Sequence, residues 1–177
     1  MGDKVTNIVL AGLGGQGVIK ASDITAKAVF AAGFDIKKSE IHGMSQRGGS
    51  VTSDIRYGKQ VLSPMVPPGE ADFLVALDST QVEPNHHLLG PDGVTITPEM
   101  LAKEGQTVDD LDADASSPIN RRNINVALVG VLSAFLDISE SVWLDAMHEC
   151  LPPKVHEVNE QVFALGRSIG QAATKHS

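Results

Sequence analysis

"NIVLAGLGGQGV", Asn7 to Val18, decides how the rest of the chain is read. Ile8 to Ala11 is a short uninterrupted apolar run that closes on glycines, the pattern of a buried strand feeding a tight turn. From Val18 onward the apolar residues fall at Ile19, Ile24, Ala28, Val29 and Ala32, close to helical spacing, and Gly33 is placed to end that helix in a left-handed cap. Strand, glycine turn and helix in that order put Gly12, Gly14 and Gly17 at the Gly-x-Gly-x-x-Gly positions, with Gly15 and Gln16 between them. Backbone amides and the positive end of a helix dipole then face outward with no side chain in the way, a ready seat for an anion. A purely structural turn would use the same glycines.

The remaining elements extend an α/β reading. "FDIKKSEI" is a second strand, less buried because lysines interrupt it. "SVTSDIRYG" alternates, with Val51, Ser53, Ile55 and Tyr57 on one face and Thr52, Asp54 and Arg56 on the other. "YGKQ" predicts a turn into "VLSP", hence a hairpin over 51–63. "FLVALD" is a second deeply buried strand, and "GVTIT" a further one. "TPEMLAKEG" has the marks of a helix, with Thr97 as cap, Pro98 in the first turn and Gly105 as terminator. Helical stripes close the chain: Ile124, Ala127, Leu128, Val131, Leu132 and Phe135, then Val155, Val158, Val162, Leu165, Ile169 and Ala172. Strands alternating with helices predict one domain over 1–177, a three-layer Rossmann-like α/β fold with a mostly parallel, mixed sheet and helices on both faces.

Composition narrows the function. A net charge of −8 on 177 residues argues against nucleic acid and against anionic membrane surfaces, both of which reward basic clusters. No apolar run is long enough to span a bilayer, and the opening residues carry no export-signal pattern, an expectation of a cytoplasmic protein. Cys150 is the only cysteine, too few for an intrachain disulfide or a protein-held iron–sulfur cluster.

The second unusual stretch is "SEIHGMSQRGGSV", Ser39 to Val51. His42, Gly43, Ser45, Gln46, Arg47, Gly48, Gly49 and Ser50 combine bare backbone, neutral donors and a permanent cation. Arg47 can fork two hydrogen bonds to a phosphate or carboxylate. The loop reads as a clamp for an anion or as a subunit-docking corner.

"GLGGQGV", then "SEIHGMSQRGGSV" and "SPMVPPGEAD", resembles the gamma-type subunit or domain of the 2-oxoacid:ferredoxin oxidoreductases. The "HGMSQRGG" form is most similar to the indolepyruvate:ferredoxin branch, where it marks the beta subunit. "RNINVALVGVLSAF" and "PPKVHEVNEQVFALG" resemble the closing helices of the same family. The resemblance implies thiamine diphosphate with Mg²⁺ and iron–sulfur clusters on a large partner subunit, electron delivery to ferredoxin, and coenzyme A as co-substrate. It implies no catalytic residue on this chain. Its two glycine loops would form part of the active-site wall and of the coenzyme A approach, and the isolated chain could homodimerise. "GPDG", Gly90 to Gly93, is a poor substitute for a diphosphate motif and reads as a turn.

Two other classes stay open. A free-standing dinucleotide-binding oxidoreductase needs a ribose-binding acid at the end of the second strand, and Glu40 is the available residue. A scaffolding subunit would leave both loops empty. Other features read plainly: His86–His87 as a surface pair, and His148, Cys150 and His156 as too scattered for zinc. "DLDADAS" fails as a calcium loop because Ala115 and Arg121 stand where glycine and glutamate are needed. Trp143 reads as core or interface, with a slight tilt towards interface, Arg121–Arg122 leans towards a helix start or a partner, and Asp78 is an open candidate at a strand's carboxyl end.

Overall fold

The computed structural model describes residues 4–43 and 48–175. Strands β1 (Thr6–Leu13), β2 (Asp35–His42), β3 (Ser50–Gly58), β4 (Ala71–Ala76) and β5 (Leu89–Ile96) form one sheet in the order β2-β3-β1-β4-β5. Pairs β1–β4 and β4–β5 are parallel, whereas β1–β3 and β2–β3 are antiparallel. The mixed sheet expected from sequence is therefore present, with β3 alone running against the others.

The predicted hairpin over 51–63 does not form. β3 pairs instead with β2 on one side and β1 on the other, and the chain after Gly58 crosses a sheet face. Sheet residues hold it there: Asp35 accepts from the Val61 amide at 2.7 Å, Asp54 from the Val66 amide at 2.9 Å, and Arg56 donates to the Ser63 carbonyl at 3.2 Å. Local turn chemistry at Tyr57–Gln60 lost to these long-range bonds. "GPDG" likewise lies inside β5, where the ladder to β4 shifts register.

Alternation along the strands sorts two cores. Ile8 and Leu10, with Ile55, Val75 and Ile96, face α1 (Val18–Ala31), α3 (Ile124–Ser133), α4 (Glu140–Cys150) and α5 (His156–Thr174). Val9, Ala11 and Leu74 point the other way, onto Val66, Val82 and Leu88. Helices thus lie on both faces, unequally: the second carries only α2 (Val82–Asn85) and neighbouring turns. The helix expected after Thr97 is a single 3₁₀ turn, Pro98–Leu101.

On the main face α3 and α5 touch backbone to backbone. A Cβ on Gly166 would lie 2.0 Å from the Ala127 carbonyl oxygen, on Gly130 2.4 Å from that of Phe163, and on Gly170 2.5 Å from that of Val131. Trp143 is fully buried beside Phe163, with ring centroids 6.1 Å apart. Of the two roles open to it, core and interface, the structure gives it the core one, against the tilt towards interface. The extra apolar residues of α4 serve a layer packed on α1.

Candidate functional site

The first glycine loop lies where sequence placed it, between β1 and α1. Gly12, next to last in β1, has no room for a side chain: a Cβ would meet Val18 at 2.6 Å. Gly17 caps α1 with φ 82°, a left-handed conformation that costs other residues about 1–2 kcal/mol. A Cβ there would also strike Asn125 Nδ2 at 2.5 Å, and this amide donates to the Gly17 carbonyl at 3.3 Å. Gln16 bridges two elements: its Oε1 accepts from the Leu13 amide at 2.8 Å, and its Nε2 donates to Asp78 Oδ2 at 2.9 Å. Gly15, φ 91°, stands over open space.

The second loop reaches this place by an unexpected route. It does not follow a strand adjacent to β1; it is the tip of the β2–β3 hairpin. β3 pairs with β1 so that Leu13 stands opposite Ser50 and Gly12 opposite Val51, which sets Gly48 and Gly49 beside the first loop. The Gly14 amide donates to the Gly49 carbonyl at 2.9 Å. Gly43 closes the hairpin neck, its amide donating to Ser50 O at 2.7 Å, and Gly48 is left-handed at φ 66°. His42 ends β2 largely exposed, 3.9 Å from Glu40. Ser45, Gln46 and Arg47 lie outside the described residues. The structure therefore brings Gly12, Gly14, Gly15, Gln16, Gly17, Gly48, Gly49 and Ser50 together, with His42 and Gly43 at the hairpin's base.

Beside the joined loops is a cavity of about 770 Å³ at the carboxyl ends of β1, β4 and β5, lined by Gln16, Asp78, Ser79, Glu99, Asp109 and Arg121 among others. The Thr80 hydroxyl, then Gln16 and the Thr80 amide, hold the Asp78 carboxyl below its ordinary range against partial burial. Partial burial works to raise Glu99, but hydrogen bonds from Ser79 and Thr97 outweigh it and the net shift is downward. Arg121 is engaged with Asp109 and Asp112. The cavity floor is consequently acidic, and a polyanion meets favourable chemistry on the backbone side, at the glycines and the first turn of α1. Gln16 as a bridge and Asn125 as the lock on Gly17 were missed from sequence. The only signal for Gln16 was the acid closing "FLVALD"; none marked Asn125.

The dinucleotide reading loses its geometry here. Antiparallel β3 separates β2 from β1, which carries Glu40 two strands from Gly12, and its carboxylate meets Lys38 at 2.8 Å. A ribose-binding acid belongs on the strand next to the glycine turn.

The remaining candidates are structural. His148 and His156 stack at 4.3 Å, His148 bonding Glu160 and His156 the Leu151 carbonyl. Among the described residues no group of His, Cys, Asp or Glu could hold a metal. Asp110 caps the turn at Thr107, and Asp114, held down to about 2 by Lys103 and then Ser116, bonds those same residues. His87 bonds the Pro84 carbonyl at the surface. No described helix is long and apolar enough to cross a membrane.

Residues 7–169 match the family model described as pyruvate ferredoxin/flavodoxin oxidoreductase. The chain belongs to that family. Among its relatives, indolepyruvate oxidoreductase subunit IorB of Thermococcus kodakarensis is 31% identical, covering 92% of this chain and 95% of that one. The IorB subunit of Methanothermobacter thermautotrophicus is also 31% identical, over 94% and 97%. Two solved structures share the family fold. The gamma subunit of a keto/oxoacid ferredoxin oxidoreductase from Geobacter sulfurreducens has a TM-score of 0.74 at 21% identity, covering 94% of this chain and 99% of that one. A 2-oxoglutarate:ferredoxin oxidoreductase from Magnetococcus marinus, with 2-oxoglutarate, coenzyme A and succinyl-CoA bound, has a TM-score of 0.79 at 19% identity. There the match covers 97% of this chain but 32% of that one, so the family fold occurs both as a separate chain and as a segment of a longer one.

Proposed function

We propose that this chain is the accessory subunit of a thiamine diphosphate-dependent 2-oxoacid:ferredoxin oxidoreductase, with indolepyruvate as the preferred substrate. Its part is to present an anion-facing wall where coenzyme A approaches. The observation that carries this reading is the 2.9 Å bond from the Gly14 amide to the Gly49 carbonyl, which joins both glycine segments beside the start of α1. The family match and the IorB relatives support the assignment to such a complex.

The chain's own residues do not suit the redox chemistry. One cysteine cannot hold a cluster. On this reading thiamine diphosphate, Mg²⁺ and the clusters sit on the large partner subunit, which hands electrons to ferredoxin in the cytoplasm. Bound there, thiamine supplies decarboxylation and the clusters one-electron transfer. This chain binds and orients: bare amides at the loops and the Arg47 guanidinium meet the co-substrate's phosphates, while Asp78 and Glu99 keep them off the cavity floor.

The test is reconstitution. The purified chain shows no turnover, and arylpyruvate oxidation dependent on ferredoxin and coenzyme A appears on adding the large subunit. Arg47→Ala in the complex raises the KM for coenzyme A about tenfold or more, the scale of one lost charge-assisted bond. An unchanged coenzyme A dependence refutes the loop's role. Altered assembly with untouched kinetics would make the chain a scaffold instead.

A further inference from the structure

The two edges of the sheet are built differently. β5 carries Pro91 and glycines at 90 and 93, and its ladder to β4 shifts register, devices that blunt an edge against further pairing. β2, Asp35–His42, has neither proline nor glycine and runs in unbroken register against β3. Among the described residues no strand neighbours its other side. Ile41 is 50% exposed there.

A strand that meets a second copy of itself antiparallel, about a twofold axis normal to the sheet, sets one residue against its own copy and pairs the others symmetrically around it. Centring on Lys37, Lys38 or Glu40 sets like charges face to face, a destabilising arrangement. Centring on Ile36 or Ile41 leaves only a short overlap. Ser39 is the one central position that avoids both faults. With Ser39 on the axis, Lys38 of each copy stands opposite Glu40 of the other, and the Lys37 stem covers Ile41. Lys38 and Glu40 share the helix-bearing face, where Lys38 already bonds Asp23 of α1 and Glu40 at 2.5 and 2.8 Å. The new pairs extend that network across the axis.

We infer that β2 is a homodimer interface, on which two copies of this chain pair antiparallel about Ser39 and merge their five-stranded sheets into one. The inference does not depend on the assignment of the glycine loops. In the full assembly the same contact joins two small subunits.

Disulfide trapping and sedimentation of the full chain test it. In a Cys150→Ser background, Ser39→Cys places two thiols across the axis and gives a covalent dimer on mild oxidation. Lys37→Cys, opposite Ile41 of the other copy, does not. Glu40→Lys and Lys38→Glu each weaken the dimer at least about tenfold, and the double exchange restores it. A chain that sediments as a monomer at the highest concentration reached overturns the inference, as does cross-linking equally efficient at both positions. So does loss of the Ser39→Cys cross-link on adding the large subunit, which would make that subunit the occupant of the edge.

Discussion

Gly15 and Gly17 both adopt left-handed backbone, with φ 91° and 82°, yet they answer to different neighbours. Above Gly15 there is open space; above Gly17 stands the Asn125 amide. An alanine at 15 therefore bears only the backbone strain, about 1 kcal/mol, and one at 17 must also displace Asn125 from the loop, for roughly 2–3 kcal/mol in all. Denaturant unfolding of Gly15→Ala and Gly17→Ala separates the two, and equal losses would show that Asn125 does not lock the loop. The glycine pattern was legible in sequence because it is local. Asn125 was not, because the contact spans 108 positions of chain.

At the scale of elements, the α3–α5 pair rests on small residues. Gly130, Gly166 and Gly170 let the helices approach until backbone meets backbone, and Arg167 donates to the Ser133 carbonyl at 2.9 Å beside them. Gly166→Ala forces the helices apart and costs about 3 kcal/mol, lowering the melting temperature by roughly 6–12 °C for a chain of this size. Leu165→Ala, on the more exposed side of α5, shifts it far less. Calorimetry of both variants decides; similar shifts would refute the close-approach account. Both helices were readable from their apolar periodicity, and the spacing of Gly166 and Gly170 was the unused sign of their contact. The 3₁₀ turn after Thr97 went the other way: good capping residues had too little apolar face beyond Leu101 to sustain a helix.

Across the whole molecule, the sheet's lighter face is closed by a polar strap. Asp54 sits 5% exposed, accepting from the Val66 amide, and Arg56 donates to Asn7 Oδ1 at 2.8 Å. Burial pushes the Asp54 carboxyl upward, against the Val66 bond and the Arg56 charge. The folded chain thus holds that proton more tightly than the unfolded one. Its contribution to stability is fully present below about pH 4 and is lost as pH rises through the elevated folded value. Asp54→Asn keeps an acceptor for Val66 and removes this slope, so the variant and the parent diverge with rising pH above about 4 when unfolding is followed at several pH values. Parallel profiles would place the burial cost elsewhere. Asp78, shifted downward, contributes with the opposite sign and is lost as pH falls below about 4.

The strand, turn and helix around Gly12–Gly17 and the closing helices α3 and α5 were determined by sequence alone, because apolar period and glycine placement act within a few residues of chain. Tertiary structure decided the rest. β3 was drawn between β1 and β2 instead of folding back on 61–63, since ladders on both sides satisfy more backbone than a lone hairpin could. That choice brought the two glycine loops together, moved Glu40 to the outer strand and made β2 an edge of the described sheet. Contacts between residues far apart in sequence leave no local period to read, and the site is made of such contacts.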